Sequence, residues 1–157
     1  MSKLILLVGN VGSGKSFYAK KLVKENPNCF VVSRDSLRYM VNAGEYTFDR
    51  EKEAIVHDLT MRCLASLLAS GLDVILDETN MNKRSRKNYI DFAKEYEGYE
   101  IEAHVMPRLG KEESVKRRLQ DPHGTYDKAK WEEVFDMFSK RYIVPSESEG
   151  FDNVLFL

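Results

Sequence analysis

The sequence predicts an α/β fold, a five-stranded parallel sheet with helices on both faces. Two observations carry that class. Short apolar runs of strand length alternate with longer stretches whose apolar residues recur at helical spacing. The first run, Leu4 to Val8, passes through a glycine-rich turn straight into a helical segment, the unit from which such sheets are built. A length of 157 residues fits one domain, so residues 1–157 are read as a single unit. No internal repeat, low-complexity tract or linker interrupts it.

The elements follow in order. The first helix is expected from Lys15 to about Glu25, closed by Pro27. Cys29-Phe30-Val31-Val32 reads as a buried strand, and Gly44 to Asp49 as a loop. A long helix from about Arg50 to Ser70 presents Ile55, Leu59, Cys63, Leu64, Leu67 and Leu68 as its apolar face and stops at Gly71. Leu72 to Leu76 is the third strand. A helix capped near Asn82 covers Lys83 to Tyr96, and Tyr99 to Val105 is the fourth strand. Two more helices are expected, Lys111 to Leu119 and Lys128 to Tyr142, separated by the break Asp121-Pro122-His123-Gly124. Trp131, Val134, Phe135 and Phe138 share one face of the second. Val154 to Leu157 completes the sheet after a loop from Pro145 to Gly150.

Hydrophobic residues make up 43% of the chain and charged residues 31%, at a net charge of -1. That balance argues against a strongly basic protein that coats nucleic acid, though not against a local basic groove. Cys29 and Cys63 match no metal spacing and read as core thiols of a reducing compartment. Leu4 to Val8 is too short for a signal sequence, and no stretch approaches membrane-span length. The expected location is the cytoplasm, with no membrane partner.

Ligands of parallel α/β sheets sit at the carboxyl ends of the strands. Three polar segments converge there. The first, Gly9-Asn10-Val11-Gly12-Ser13-Gly14-Lys15-Ser16, is the phosphate-binding pattern Gly-x-x-x-x-Gly-Lys-Ser in its strand–loop–helix context. Its glycines let backbone N–H groups face phosphates, and the following helix adds unpaired N–H groups and a partial positive charge. Lys15 would reach the β- and γ-phosphates of a nucleotide such as ATP, and the Ser16 hydroxyl would ligate Mg²⁺. The second segment, Arg34-Asp35-Ser36-Leu37-Arg38, puts a carboxylate and a guanidinium three residues apart, on one face if a helix starts near Asp35. Asp35 either caps that helix or aligns an attacking hydroxyl. Arg38 would hold a substrate anion or be a solvated surface residue; for Arg34 the surface reading weighs slightly more. The third, Asp77-Glu78-Thr79-Asn80, starts where a Walker B carboxylate would orient Mg²⁺, and its other residues could orient loops.

Lys116-Arg117-Arg118 before the Asp121–Gly124 break fits a helical lid whose arginine neutralises charge on a transferred phosphoryl group, or a merely exposed basic face. His123 has only its loop position in its favour, and His57 and His104 read as structural. Lys83-Arg84-Ser85-Arg86-Lys87 opens a helix where the dipole disfavours cations. It lines either a polynucleotide entrance or a solvated helix start.

These segments resemble the kinase module of polynucleotide 5′-hydroxyl kinases, found in phage polynucleotide kinase and animal polynucleotide kinase/phosphatase. The resemblance spans nearly the whole chain. Gly9 to Ser16 matches the phosphate loop, and Ser33-Arg34-Asp35-Ser36-Leu37-Arg38 is similar to the segment with the catalytic aspartate. Asp77-Glu78-Thr79-Asn80 looks like the Asp-x-Thr-Asn after the third strand. Pro145-Ser146-Glu147-Ser148-Glu149-Gly150-Phe151 looks like the ending of the animal module. Asp121 stands about where the phage module has a further lid arginine.

The resemblance implies a P-loop kinase fold that takes ATP and Mg²⁺, with nucleic acid 5′ ends as substrate. Lys15, Asp35 and Arg117 would be catalytic. Gly9, Asn10, Gly12, Ser13, Gly14, Lys15, Ser16, Arg117 and Arg118 would bind the nucleotide. Arg34, Asp35, Arg38, Thr79 and Asn80 would meet the acceptor, and Ser16 and Asp77 the metal. Two other readings stay open: a kinase of a nucleoside or small metabolite, and a non-catalytic nucleotide switch, against which the Asp35–Arg38 pair speaks.

Overall fold

β1 (Ser2–Val8) runs through the middle of the sheet because its apolar residues are wanted on both faces. The computed structural model describes residues 1–121 and 124–157. Within these, five strands lie parallel in the order β2-β3-β1-β4-β5. The others are β2 (Cys29–Ser33), β3 (Asp73–Asp77), β4 (Tyr99–Val105) and β5 (Asn153–Phe156). Leu6 sits in register with Leu76 on one side and Ala103 on the other. Successive side chains alternate between the faces, so a strand covered on both reads as an unbroken apolar run.

Leu4, Leu6 and Val8 join Val74, Leu76, Ile101 and Ala103 against one layer of helices. That layer is α3 (Arg50–Ala69) and α4 (Lys83–Ala93), which contribute Leu64, Leu68, Tyr89, Ile90 and Ala93. On the other face Ile5, Leu7, Cys29 and Ile75 pack against Ala19, Leu22 and Val23 of α1 (Lys15–Glu25). The expected helices on both faces are present. The expected helical pair is there too: α5 (Lys111–Gln120) and α6 (Lys128–Arg141) enclose Val11 with Val115, Trp131, Val134, Phe135 and Phe138. Pro122 and His123 lie outside the described residues.

Three expectations are corrected. The segment Arg34 to Val41 is itself a helix, α2, and its cap is Ser33, whose hydroxyl accepts from the Ser36 amide at 3.3 Å. Asp35 is therefore inside the first turn and free of the capping task. The inward row of α3 is Val56, Thr60, Leu64 and Leu68, while Ile55 is exposed. Thr60 is tolerated in the core because its hydroxyl donates to the Val56 carbonyl at 2.7 Å.

The third correction concerns the basic cluster at the start of α4. The Asn82 cap is as expected, its side chain accepting from the Ser85 amide at 2.8 Å. Lys83, Arg84 and Lys87 are exposed, but Arg86 is fully buried. Its Nε and Nη2 donate to the two oxygens of Glu149 at 2.8 and 2.7 Å, and Nη1 donates to the Asn80 carbonyl at 2.9 Å. A buried guanidinium stays charged and is tolerated where such partners meet it. Arg86 thus ties the short 3₁₀ turn Glu147–Glu149 to the end of β3.

Breaking this pair from one side strands a buried charge. Glu149→Ala should cost about 3–5 kcal/mol in urea unfolding, whereas Arg86→Met combined with Glu149→Leu should recover most of the loss.

Candidate active site

The loop between β1 and α1 is held from three sides. The Gly9 amide donates to the Thr79 carbonyl at 2.9 Å, fixing the loop to the segment after β3. The Asn10 side chain accepts from the Val11 amide at 2.7 Å and donates to the Phe135 carbonyl and the Ser139 hydroxyl of α6, both at 3.1 Å. Gly12, at φ 68°, lies so close to α5 that a Cβ would stand 2.2 Å from the Ser114 carbonyl oxygen. Only glycine fits that curl.

Gly14 precedes α1 at φ 95°, and Lys15 then folds back into the loop. Its ammonium donates to the Asn10 carbonyl at 2.9 Å and lies 3.5 Å from the Ser13 hydroxyl. Burial lowers the Lys15 pKa to about 8; Asp77 and Asp35 oppose the shift, and the positive Arg118 adds to it. The Ser16 hydroxyl donates to Asp77 Oδ2 at 2.8 Å. A hydroxyl and a carboxylate side by side are the hard oxygen donors that Mg²⁺ takes along with retained waters, so the pair fits that ion.

Beside the loop, a chain of ion pairs runs across three elements. Arg38 Nη1 donates to Asp35 Oδ1 at 2.6 Å, and its Nε and Nη2 donate to the two oxygens of Glu53, in the first turn of α3, at 2.7 and 2.8 Å. Burial works against the charge of Arg38, but the bonds to Glu53 outweigh it and raise its pKa; the same bonds lower that of Glu53. Arg34 bridges onward, 3.4 Å from Glu53 and 3.6 Å from Glu78. Neither Arg34 nor Arg38 is a solvated surface residue. Glu78 accepts from the Tyr89 hydroxyl at 2.9 Å, and burial pushes its pKa up to about 7 against the pull of Arg34.

Other sequence-predicted residues divide. Asn80 is buried in a left-handed conformation, and its amide donates to the Leu7 carbonyl at 2.8 Å, so that group is used inside the molecule. The Thr79 carbonyl serves the Gly9 amide. On α5 the two arginines part company. Arg117 pairs with Glu113 at 3.0 Å on exposed surface, whereas Arg118 stacks over Trp131 at 5.1 Å and lies within electrostatic reach of Lys15. The Arg118 Nε is buried without a hydrogen bond among the described residues. Of the two, Arg118 is the one whose charge reaches Lys15.

Glu53, Tyr46 and Phe48 were not singled out from sequence, yet all three meet Arg38. A recess of about 540 Å³ is lined mainly by apolar side chains such as Leu37, Met40 and Leu67, with Arg62 and three serines among them. Among the described residues no helix is long and apolar enough to cross a membrane.

A central strand, a curled loop with a buried lysine, and a serine–aspartate pair at the next strand define the P-loop class of nucleotide-binding folds. The AAA_33 family model, an AAA domain, matches residues 4–143, and the chain belongs to that family. It is 25% identical to an Acanthamoeba polyphaga mimivirus protein named as a bifunctional polynucleotide phosphatase/kinase, over 97% of this chain and 32% of the relative. It superposes on a chain of the Pnkp1/Rnl/Hen1 RNA repair complex with a TM-score of 0.74 at 28% identity, over 96% of this chain and 46% of that one. A fungal RNA kinase shares the fold, with a TM-score of 0.64 at 20% identity over 99% of this chain and 74% of that one. The chain thus spans about a third of the mimivirus relative and just under half of the repair-complex chain.

A carboxyl group whose native pKa lies above its unfolded value stabilises the fold in its protonated form. That stability is complete below about 4.5 and is lost as pH rises through about 7. Glu78→Gln stays neutral throughout. Its stability relative to the parent should therefore rise between pH 5 and pH 8, by up to about 3 kcal/mol in denaturant titrations.

Proposed function

We propose that the chain is a polynucleotide kinase that moves the γ-phosphate of ATP to the 5′-hydroxyl of DNA or RNA. The observation that carries this reading is the Asp35–Arg38 pair, joined at 2.6 Å, with the Asp35 carboxylate within electrostatic reach of the phosphate-loop lysine. A switch that only binds a nucleotide has no use for a carboxylate aimed beside its phosphates. The kinase names carried by the relatives support the same reading, and the two free cysteines suit a cytoplasmic setting.

Roles follow from position. The loop amides and Lys15 hold the β- and γ-phosphates. Ser16 and Asp77 would hold Mg²⁺, which supplies charge neutralisation across the phosphate oxygens. Asp35 accepts the proton of the 5′-hydroxyl as its oxygen bonds to the γ-phosphorus and the bond to the bridging oxygen of ADP breaks. Arg118 neutralises charge spread over the equatorial oxygens. Arg38 keeps Asp35 in place. Three of its N–H groups go to Asp35 and Glu53, leaving two for a phosphate of the acceptor strand.

Labelled γ-phosphate should pass from ATP to a short 5′-hydroxyl oligonucleotide and not to its 5′-phosphorylated twin. Label appearing only on free nucleosides would move the acceptor to a small metabolite. Asp35→Asn should lower kcat roughly 10²- to 10⁴-fold while leaving ATP affinity within about twofold. Unchanged turnover would remove Asp35 from this role.

Bound phosphates favour the charged form of Lys15, so ATP binding should take up protons near pH 8 and none near pH 6. Calorimetry in buffers of different ionisation enthalpy reads this directly. ATP affinity should fall as pH climbs past 8.

A further inference from the structure

The loop between α2 and α3 doubles back over the helix it has just left. Ala43 and Gly44, at φ 55° and 89°, are consecutive residues in the left-handed region. For alanine that conformation costs on the order of 1 kcal/mol, and such strain persists where the surroundings impose it. The turn is pinned by the Gly44 amide on the Tyr39 carbonyl at 2.8 Å and the Glu45 amide on the Asn42 carbonyl at 3.1 Å. Its result is that Tyr46 and Phe48 return beside Arg38.

The guanidinium of Arg38 lies 5.9 Å from the ring centre of Tyr46 and 5.5 Å from that of Phe48. The two rings differ in what else they meet. Tyr46 packs on Tyr39 with centroids 5.6 Å apart and lies against Gly124 in the turn that precedes α6, where an added Cβ would come 3.0 Å from its ring. It is structural filling between α2 and the lid. Phe48 is 53% exposed. The guanidinium that stacks on Phe48 is also the one that holds Asp35.

We propose that Phe48 is a stacking platform for the base of the 5′-terminal nucleoside, recognised by its π face and hence without sequence preference. This rests on the polynucleotide kinase reading above and adds the residue that reads the acceptor as a nucleoside. Arg38 touches both Asp35 and Phe48, so a nucleoside whose 5′-oxygen meets Asp35 would have its base within reach of that ring. Arg38 covers the ring, fixes its orientation, and supplies a cation beside the backbone that follows. Aromatic stacking of this kind tolerates any base. It also separates a strand end from a small polyol that offers only a hydroxyl.

The test is a cycle between residue and base. The parent and Phe48→Ala are compared on two 5′-hydroxyl oligonucleotides, identical except that one has an abasic terminal deoxyribose. The parent should prefer the base-bearing strand roughly ten- to hundredfold in kcat/KM, mainly through KM. Phe48→Ala should prefer it less than about twofold, and Phe48→Tyr should restore the preference. Equal use of both strands by the parent, or a preference retained in Phe48→Ala, would overturn the platform.

Phe48→Trp supplies a readout independent of turnover: its fluorescence should be quenched by the base-bearing strand and not by the abasic one. If no oligonucleotide is phosphorylated the kinase reading falls. The platform then stands or falls on that quenching alone.

Discussion

A buried guanidinium must be met by carboxylates, and two guanidiniums impose that demand at the carboxyl edge of this sheet. Arg38 gathers Asp35 and Glu53, and with them α2 and the start of α3. Arg86 gathers Glu149 and the Asn80 carbonyl, and with them the 3₁₀ turn and the end of β3. Asn80, so held, donates to the Leu7 carbonyl of β1. Its neighbour Thr79 accepts from the Gly9 amide that begins the phosphate loop. The loop is therefore positioned through main-chain and amide bonds that depend on a charge pair removed from the site. Removing either partner of such a pair is costly because the other remains buried and charged.

The same constraint explains what could be read from the sequence and what could not. Strand β1 was legible because a parallel strand buried on both faces is a bare apolar run, and β4 because its apolar residues alternate, Ile101, Ala103 and Val105 falling on one face. The phosphate loop was legible because its pattern fixes Gly9, Gly14, Lys15 and Ser16, and Gly14, at φ 95°, takes a backbone that favours glycine. The inner face of α3 was legible only in part: Leu64 and Leu68 lie inward as expected, but its N-terminal half does not follow hydrophobicity. Hydrophobicity places Ile55 inside and Thr60 outside, and the hydroxyl bond that makes Thr60 a core residue cannot be seen in composition. Arg86 sits in a run of cations and differs from them only through Glu149, sixty-three residues away. The choice between Arg117 and Arg118 could have been made. One residue turns a helix by about 100°, and Arg118 lies three positions from Val115, the apolar residue that faces the core. Ser33 competed with Asp35 and Ser36 as a cap, and nothing local separates three good capping residues in four positions.

The site is electrically balanced rather than basic. Lys15, Arg34, Arg38 and Arg118 face Asp35, Glu53, Asp77 and Glu78, which accords with the net charge of -1 for the whole chain. Two of these groups are held close to losing their charge near neutrality, Lys15 at about 8 and Glu78 at about 7, both by burial. An entering triphosphate returns full charge to the first. The second faces Arg34 and the Tyr89 hydroxyl, so its titration answers to that cluster.

That division gives Glu53 a task no motif records. A guanidinium bound to Asp35 alone would present nearly its whole charge to the carboxylate that we propose takes the proton. Shared with Glu53 through two bonds, it fixes the direction of Asp35 while most of its charge is already met. Geometry and charge are thereby supplied by different residues: Arg38 aims the carboxylate, Glu53 offsets the guanidinium, and the covered ring of Phe48 uses the same flat cation as its support. Lysine could not replace Arg38 here. An ammonium has neither the planar fork that meets Glu53 with two bonds nor the flat face that lies against a ring.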